Sequence, residues 1–285
     1  MIDTSTAQTQ LVTLAPAREA VSGRHRFKNV QASGRRYDEF LAKLQRFRGR
    51  VYCGDGAISP NELTADGRHE LDIDERSWHV VAVDSDGEVC GCVRYLAESR
   101  STDFADLWIR EAAITRCPTW GDYFRSAVEQ ERARARVKNV DFAEVGGWAV
   151  AEDRRWTTDP LRMILGVWGL SRILGGCVGV ATATVRHGSA VILRRIGLRS
   201  LSTNGVDVPS YYDSHYGCEM EALRFDSDLP NPKYRRWIEE LRAHLEDAPV
   251  VCRISKAAEW AAPVRERPKL PLPFPLSIAG QMARG

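Results

Sequence analysis

The chain has 285 residues, of which 44% are hydrophobic and 27% charged, values of an ordinary globular protein with length to spare for a core. Forty basic against 38 acidic residues leave a net charge of +2, which excludes a global electrostatic attraction to nucleic acid. Any electrostatic argument must therefore rest on local clusters.

Residues 1–34 are rich in Ser, Thr, Gln, Ala and Gly and carry Arg24, His25, Arg26 and Lys28, so they read as a mobile leader. Phe40, Leu41, Leu44 and Phe47 fall at helical spacing and predict an amphipathic helix over 36–47. A polar loop follows at 53–75, with Asp66, His69, Asp72 and Asp74; it is either a solvated acidic loop or a receiver for an ammonium group. WHVVAVD (78–84) and EVCGCVRYL (88–96) flank Ser85-Asp86-Gly87 and predict a hairpin. Residues 103–116 and 119–138 read as helices, the second basic at Arg132, Arg134, Arg136 and Lys138.

A strand over 142–150, FAEVGGWAV, carries Glu144 and two adjacent glycines, Gly146 and Gly147. Glycine pairs inside a strand mark either a β-bulge or a close approach of other atoms to the backbone. Asp159 and Pro160 open a helix that Gly175 and Gly176 end. CVGVATATV (177–185) is a strand, and Ser189 caps a short helix that ends at Gly197. Strands are predicted near 198–208 and 217–226, with Tyr211 and Tyr212 between them, and a helix over 232–246. From 254 the chain is Pro-rich and irregular.

This order predicts a mixed α/β sheet in which 142–185 forms a right-handed parallel crossover. The divisions expected are a leader (1–34), a main domain (35–230), and a C-terminal helix with its tail (231–285). Seven irregularly spaced cysteines favour structural thiols over a disulfide framework, and no paired ligand spacing suggests a metal. No apolar run reaches the ~18 residues of a membrane span and no signal pattern opens the chain, so a cytoplasmic protein is expected.

Over 36–226 the sequence resembles the GNAT superfamily of acyltransferases. It is most similar to the branch using acyl carrier protein thioesters, namely acyl-homoserine-lactone autoinducer synthases and long-chain N-acyl amino acid synthases. Arg48 in FRGRVY, Arg94 in EVCGCVRYL and Glu144 in AEVGGWAV match the synthases' two arginines and their acid, and Asp72 matches their acidic loop more loosely. HGSAVILRRIG fits the downstream helix. Two positions depart, since Gly146 and Gly147 stand where the synthases have serine and arginine. The glycines of the acetyl-CoA branch's pyrophosphate loop are also missing from Arg155–Pro160.

The resemblance implies a GNAT-like mixed, mostly antiparallel sheet, with a splayed parallel central strand pair flanked by helices. It implies an N-acyltransferase that takes an acyl-phosphopantetheine thioester, from acyl carrier protein or acyl-CoA, to a small-molecule amine such as an amino acid, without a metal. The alternatives are a lactone synthase using S-adenosylmethionine and a non-catalytic thioester-binding module. In this frame Glu144 is the candidate base and His187 the candidate acid. Trp148, Ala149, Val150, Arg154 and Arg155 would hold the donor arm. Arg48, Asp72, Arg94, Gly146 and Gly147 would face the substrate, and the basic side chains Arg154, Arg155 and Arg162 would steer an acidic carrier protein.

Overall fold

A computed structural model describes residues 9–19, 21, 26–99, 101–186 and 188–254. The first strands are β1 (Gln10–Leu14) and β2 (Asn29–Ala32). Ser33 then caps α1 (Gly34–Gly54), its side chain accepting from the Arg36 amide. Tyr37, Leu41, Leu44 and Phe47 line the buried face of α1, as the spacing predicts, and the helix runs two turns further. The hairpin forms as β3 (Trp78–Val83) and β4 (Val89–Glu98).

The expected helix over 103–116 is instead three short 3-10 turns. Its buried residues Phe104, Leu107, Ile109 and Ile114 do not repeat at helical spacing, and non-helical backbone at Leu107 and Ala112 breaks the run. α2 (Gly121–Lys138) ends at Asn139, in the left-handed region at φ 58°. The crossover unit is β5 (Asp141–Val150), α3 (Asp159–Ile173) and β6 (Cys177–Thr184). After it come α4 (Ser189–Ile196) and the short strands β7 (Arg199–Ser200), β8 (Ser202–Thr203) and β9 (Val206–Asp207). β10 (Tyr211–Asp213), β11 (Cys218–Asp226), α5 (Arg235–Asp247) and β12 (Pro249–Cys252) complete the order.

The main sheet runs β10-β11-β6-β5-β4-β3-β1-β12-β2. Most pairs are antiparallel; β5–β6, β1–β12 and β12–β2 are parallel. α3, α4 and α5 cover one face through residues such as Ile164, Leu193 and Ile238. α1 and α2 cover the other through Leu44, Phe47, Phe124 and Val128.

Two expected divisions change. β1 lies inside the sheet between β3 and β12, with Leu11 and Leu14 fully buried, so this part of the expected leader belongs to the core. The apolar run LVTLA at 11–15 is the cause, masked by the polar composition around it. β12 likewise joins the C-terminal segment to the same sheet, and α5 packs on α3. The Pro-rich segment from 255 lies outside the described residues.

Candidate active site

β5 and β6 pair only from Asp141↔Cys177 to Val145↔Ala181. Both strands continue beyond that point, β5 to Val150 and β6 to Thr184, without a shared ladder. The gap between them opens into a cavity of about 720 Å³, lined by residues 144–150 of β5 and 180–184 of β6. The edge of β5 that faces the gap can accept an extended chain as an added strand. Trp148, Ala149 and Val150, expected to hold the donor arm, all line this gap.

The glycines sit at a bulge. Arg94 lies opposite Gly146 and Cys92 opposite Ala149, so β5 spends one extra residue there. Gly147 has φ 60°, which a side chain disfavours. The atoms that approach both glycines belong to Arg94. A Cβ at 146 would stand 3.1 Å from Arg94 Nη2, and one at 147 would stand 3.2 Å from Arg94 Cβ. Arg94 thus fills the side of each glycine where a Cβ would stand, while Gly146, Gly147 and Arg94 itself all line the cavity.

Arg94 is 5% exposed, and its Nε and Nη1 have no hydrogen-bond partner. The ring of Trp108 lies 5.8 Å from its guanidinium carbon. Burial, and then the charge of Arg48, push its pKa down.

Glu144 is buried in the cavity wall. Its carboxylate accepts from the amides of Trp108 at 2.8 Å and Ile109 at 2.6 Å, capping the first turn of the 3-10 segment Trp108–Glu111. These contacts, rather than an ion pair with Arg94 or Arg48, are its hydrogen bonds. Burial raises its pKa to about 7, against the opposing pull of the two amides. A carboxyl group near this value can exchange protons at neutral pH.

Arg48 and Asp72 do not line the cavity. Arg48 is fully buried from α1 and forms a two-pronged ion pair with Asp74, at 2.8 and 2.6 Å, while its Nε donates to His69 Nδ1 at 3.2 Å. Asp72 is exposed; Asp74, two residues on, is the loop acid that turns inward. His79 Nε2 bonds the Asp74 carbonyl at 3.0 Å. Burial lowers the pKa of both His69 and His79 to about 4.

Arg155 reaches the mouth of the cavity, where it pairs with Asp55 at the end of α1 at 2.8 Å. Arg154 lies outside the wall and pairs with Asp153 and Asp159. His187 lies outside the described residues. Trp156, 97% exposed, stands at the mouth.

Sequence reasoning missed several wall residues: Tyr52, Trp108, Arg186 and Tyr216. Arg186 donates to the Asp55 carbonyl at 3.0 Å, so Asp55 ties together the turns that follow β5 and β6. Tyr211 and Tyr212, singled out beforehand, lie off the wall; Tyr216 of the same segment lines it. The run YYDSHY holds no spacing that separates the three. Among the described residues, no group of three or more His, Cys, Asp or Glu could hold a metal, and no helix is long and apolar enough to cross a membrane.

A mixed sheet with a splayed parallel pair, a bulge on its first strand and helices on both faces defines a GNAT-like fold. A structure of a CoA-dependent acyl-homoserine lactone synthase, BjaI, with SAM and isopentyl-CoA, matches at TM-score 0.51 and 14% identity, covering 87% of this chain and 94% of that one. Among curated proteins, the chain is 32% identical over 120 residues to an acyl-homoserine-lactone synthase of Ralstonia nicotianae. That stretch is 40% of this chain and spans 58% of the relative. The structure of FeeM, an N-acyl amino acid synthase from uncultured soil microbes, aligns at TM-score 0.45 and 12% identity over 78% of this chain and 93% of that one. No family model matches.

Proposed function

We propose that this protein is an N-acyltransferase that moves an acyl group from a phosphopantetheine thioester to an amine. The observation that carries this reading is the position of Glu144, a buried carboxyl of pKa about 7, at the closed end of the gap between β5 and β6. The thioester arm lies along the free edge of β5. The amine nitrogen attacks the thioester carbonyl carbon while Glu144 takes its proton. Amide N–H groups on the β5 edge stabilise the oxyanion. The carbon–sulfur bond then breaks, and the thiolate leaves and is protonated.

We favour a carrier protein over CoA as donor. The turn after β5 lacks the glycines of a pyrophosphate cradle, and its amides at Arg154, Arg155 and Thr157 are already bonded within the turn. Basic Arg155 and Arg186 at the mouth suit an acidic partner. The 32% identity to a lactone synthase supports a second reading, lactone formation from S-adenosylmethionine.

The test is mass spectrometry of products formed from acyl carrier proteins and acyl-CoAs of several chain lengths, with a pool of amines that includes S-adenosylmethionine. An N-acyl amine bears out the main reading, and a lactone the second. Turnover from acyl-CoA alone overturns the carrier-protein donor. Thioester binding without any product overturns catalysis and leaves the binding module.

A further inference from the structure

Resting on the N-acyltransferase reading, we propose that Asp55 is a specificity-determining residue. Its carboxylate stands where a donor phosphate would sit at the cavity mouth, so the site takes a pantetheine arm with one phosphodiester and selects against CoA. Asp55 lies at the C-terminal end of α1 and lines the cavity together with Arg155 and Arg186. Arg155 Nη1 and Nη2 each donate to one Asp55 oxygen at 2.8 Å, the two-pronged geometry with which a guanidinium holds a phosphate. Its Nε donates to the Val150 carbonyl at 3.3 Å, so the fork is taken. The pair is reachable from solvent, the side chains of Arg155 and Asp55 being 31% and 20% exposed.

Nothing in α1 calls for this charge. A carboxylate at a helix C-terminus meets the negative end of the dipole, and the last turn of α1 holds no basic residue to offset it. What Asp55 faces explains it. Arg155 comes from the turn after β5, and Arg186, from the turn after β6, donates to the Asp55 carbonyl at 3.0 Å.

The other groups that could hold a pyrophosphate are filled in the same way. A helix N-terminus attracts anions, but α3 opens on its own Asp159, followed by Pro160, which brings no N–H. Asp159 lies 3.7 Å from Arg154 and accepts from Thr9 Oγ1 at 3.1 Å. Arg154 also pairs with Asp153 at 3.4 Å. The amides of Arg154, Arg155 and Thr157 donate within the turn. Both arginines of this turn thus meet carboxylates of the chain itself.

Charge then separates the two donors. Asp55, Arg155 and Arg186 together carry a single net positive charge. The arm on a carrier protein ends in one phosphodiester, with one negative charge. CoA carries a pyrophosphate and a 3′-phosphate, and its additional charges meet Asp55, Asp153 and Asp159. Repulsion of the wrong ligand is as effective a source of specificity as attraction of the right one.

The experiment is calorimetric titration of wild type, Asp55→Asn and Asp55→Glu with a ladder of charge: pantetheine, the methyl phosphodiester of 4′-phosphopantetheine, dephospho-CoA and CoA. Circular dichroism checks each fold. In wild type CoA should bind more weakly than the methyl phosphodiester. Asp55→Asn releases Arg155 and should tighten CoA by about 10–100-fold, the scale of one charged hydrogen bond. That gain should shrink as salt is added. Asp55→Glu keeps the charge and should keep the wild-type order. CoA binding as tightly as the methyl phosphodiester in wild type overturns the proposal. So does unchanged or weaker CoA binding in Asp55→Asn, or an Asp55→Glu that behaves like Asp55→Asn. No binding by any member of the ladder overturns it as well. If Asp55→Asn does not fold, the wild-type ladder and Asp55→Glu carry the test. These titrations transfer no acyl group, so the expected order without product from any donor supports Asp55 and sinks only the acyltransferase reading.

Discussion

Arg94 and Gly146 face one another across β4 and β5, and the guanidinium of the first fills the space a side chain on the second would need, 3.1 Å from a Cβ there. The bulge, the missing side chains and the buried cation are one arrangement. The glycines let a long cationic side chain lie flat against a strand at the wall of the cavity.

Gly147→Ala tests that arrangement. The new methyl meets Arg94 Cβ at 3.2 Å and holds φ at 60° against its preference. A left-handed non-glycine residue costs about 1–2 kcal/mol. Urea denaturation should show a loss of at least that size, with an unchanged m-value.

The Arg48–Asp74 pair should dominate acid stability. Burial disfavours the charge on Asp74, but the hydrogen bonds and charge of Arg48 outweigh it and hold the pKa below the usual range. A depressed carboxylate contributes stability that is present above its unfolded pKa, about 3.9, and lost as pH falls further. Thermal melts should therefore fall steeply below about pH 4. Asp74→Asn should flatten that limb and cost about 3–5 kcal/mol at neutral pH, because Arg48 is left buried and unpaired.

The pH–rate profile tests Glu144. With a pKa of about 7, the carboxylate that accepts a proton grows tenfold per pH unit below that value and then levels off. kcat/KM should show this limb, followed by a second from the amine itself. Glu144→Gln should remove the first limb and lower turnover by about 10²–10⁴-fold. Glutamine keeps one oxygen for the Trp108 or Ile109 amide, so circular dichroism should confirm the fold.

Acyl length should respond to Leu193. Val145, Ile164 and Leu193 line the cavity and also a small apolar void behind it, with Trp168 and Phe225. Leu193→Ala should join the two spaces and shift preference towards acyl chains longer by about two or three carbons, at about 2–5 kcal/mol of stability. Competition among donors of mixed length reads the shift.

Much of the fold was legible in the residues. The periodicities of α1, α3 and the β3–β4 hairpin gave these elements within a few residues, since each buries one regular face. The strand–helix–strand order and the resemblance together gave the splayed pair. β1 was not legible, because four buried residues in a polar stretch look like a leader until β3 and β12 enclose them. In the site, Glu144 stood out as a charge inside an apolar strand, whereas Arg94 was marked only by the resemblance. Asp72 and Asp74 differ by one pitch of a loop, and only the fold decides which turns towards Arg48. Trp108 and Tyr216 reach the cavity from irregular segments, where no periodicity marks a direction.

The position of β1 also bears on how the chain is made. Its antiparallel partner β3 is synthesised soon after it, but its parallel partner β12 is the last strand described. Through most of translation β1 shows one unpaired edge, the kind of surface that recruits other chains. Folding from the ribosome would thus close by docking the α5–β12 segment, so the interval vulnerable to aggregation lasts through most of synthesis and ends when that segment docks. Shielding that edge during synthesis should govern the yield of native protein more than any contact within the cavity.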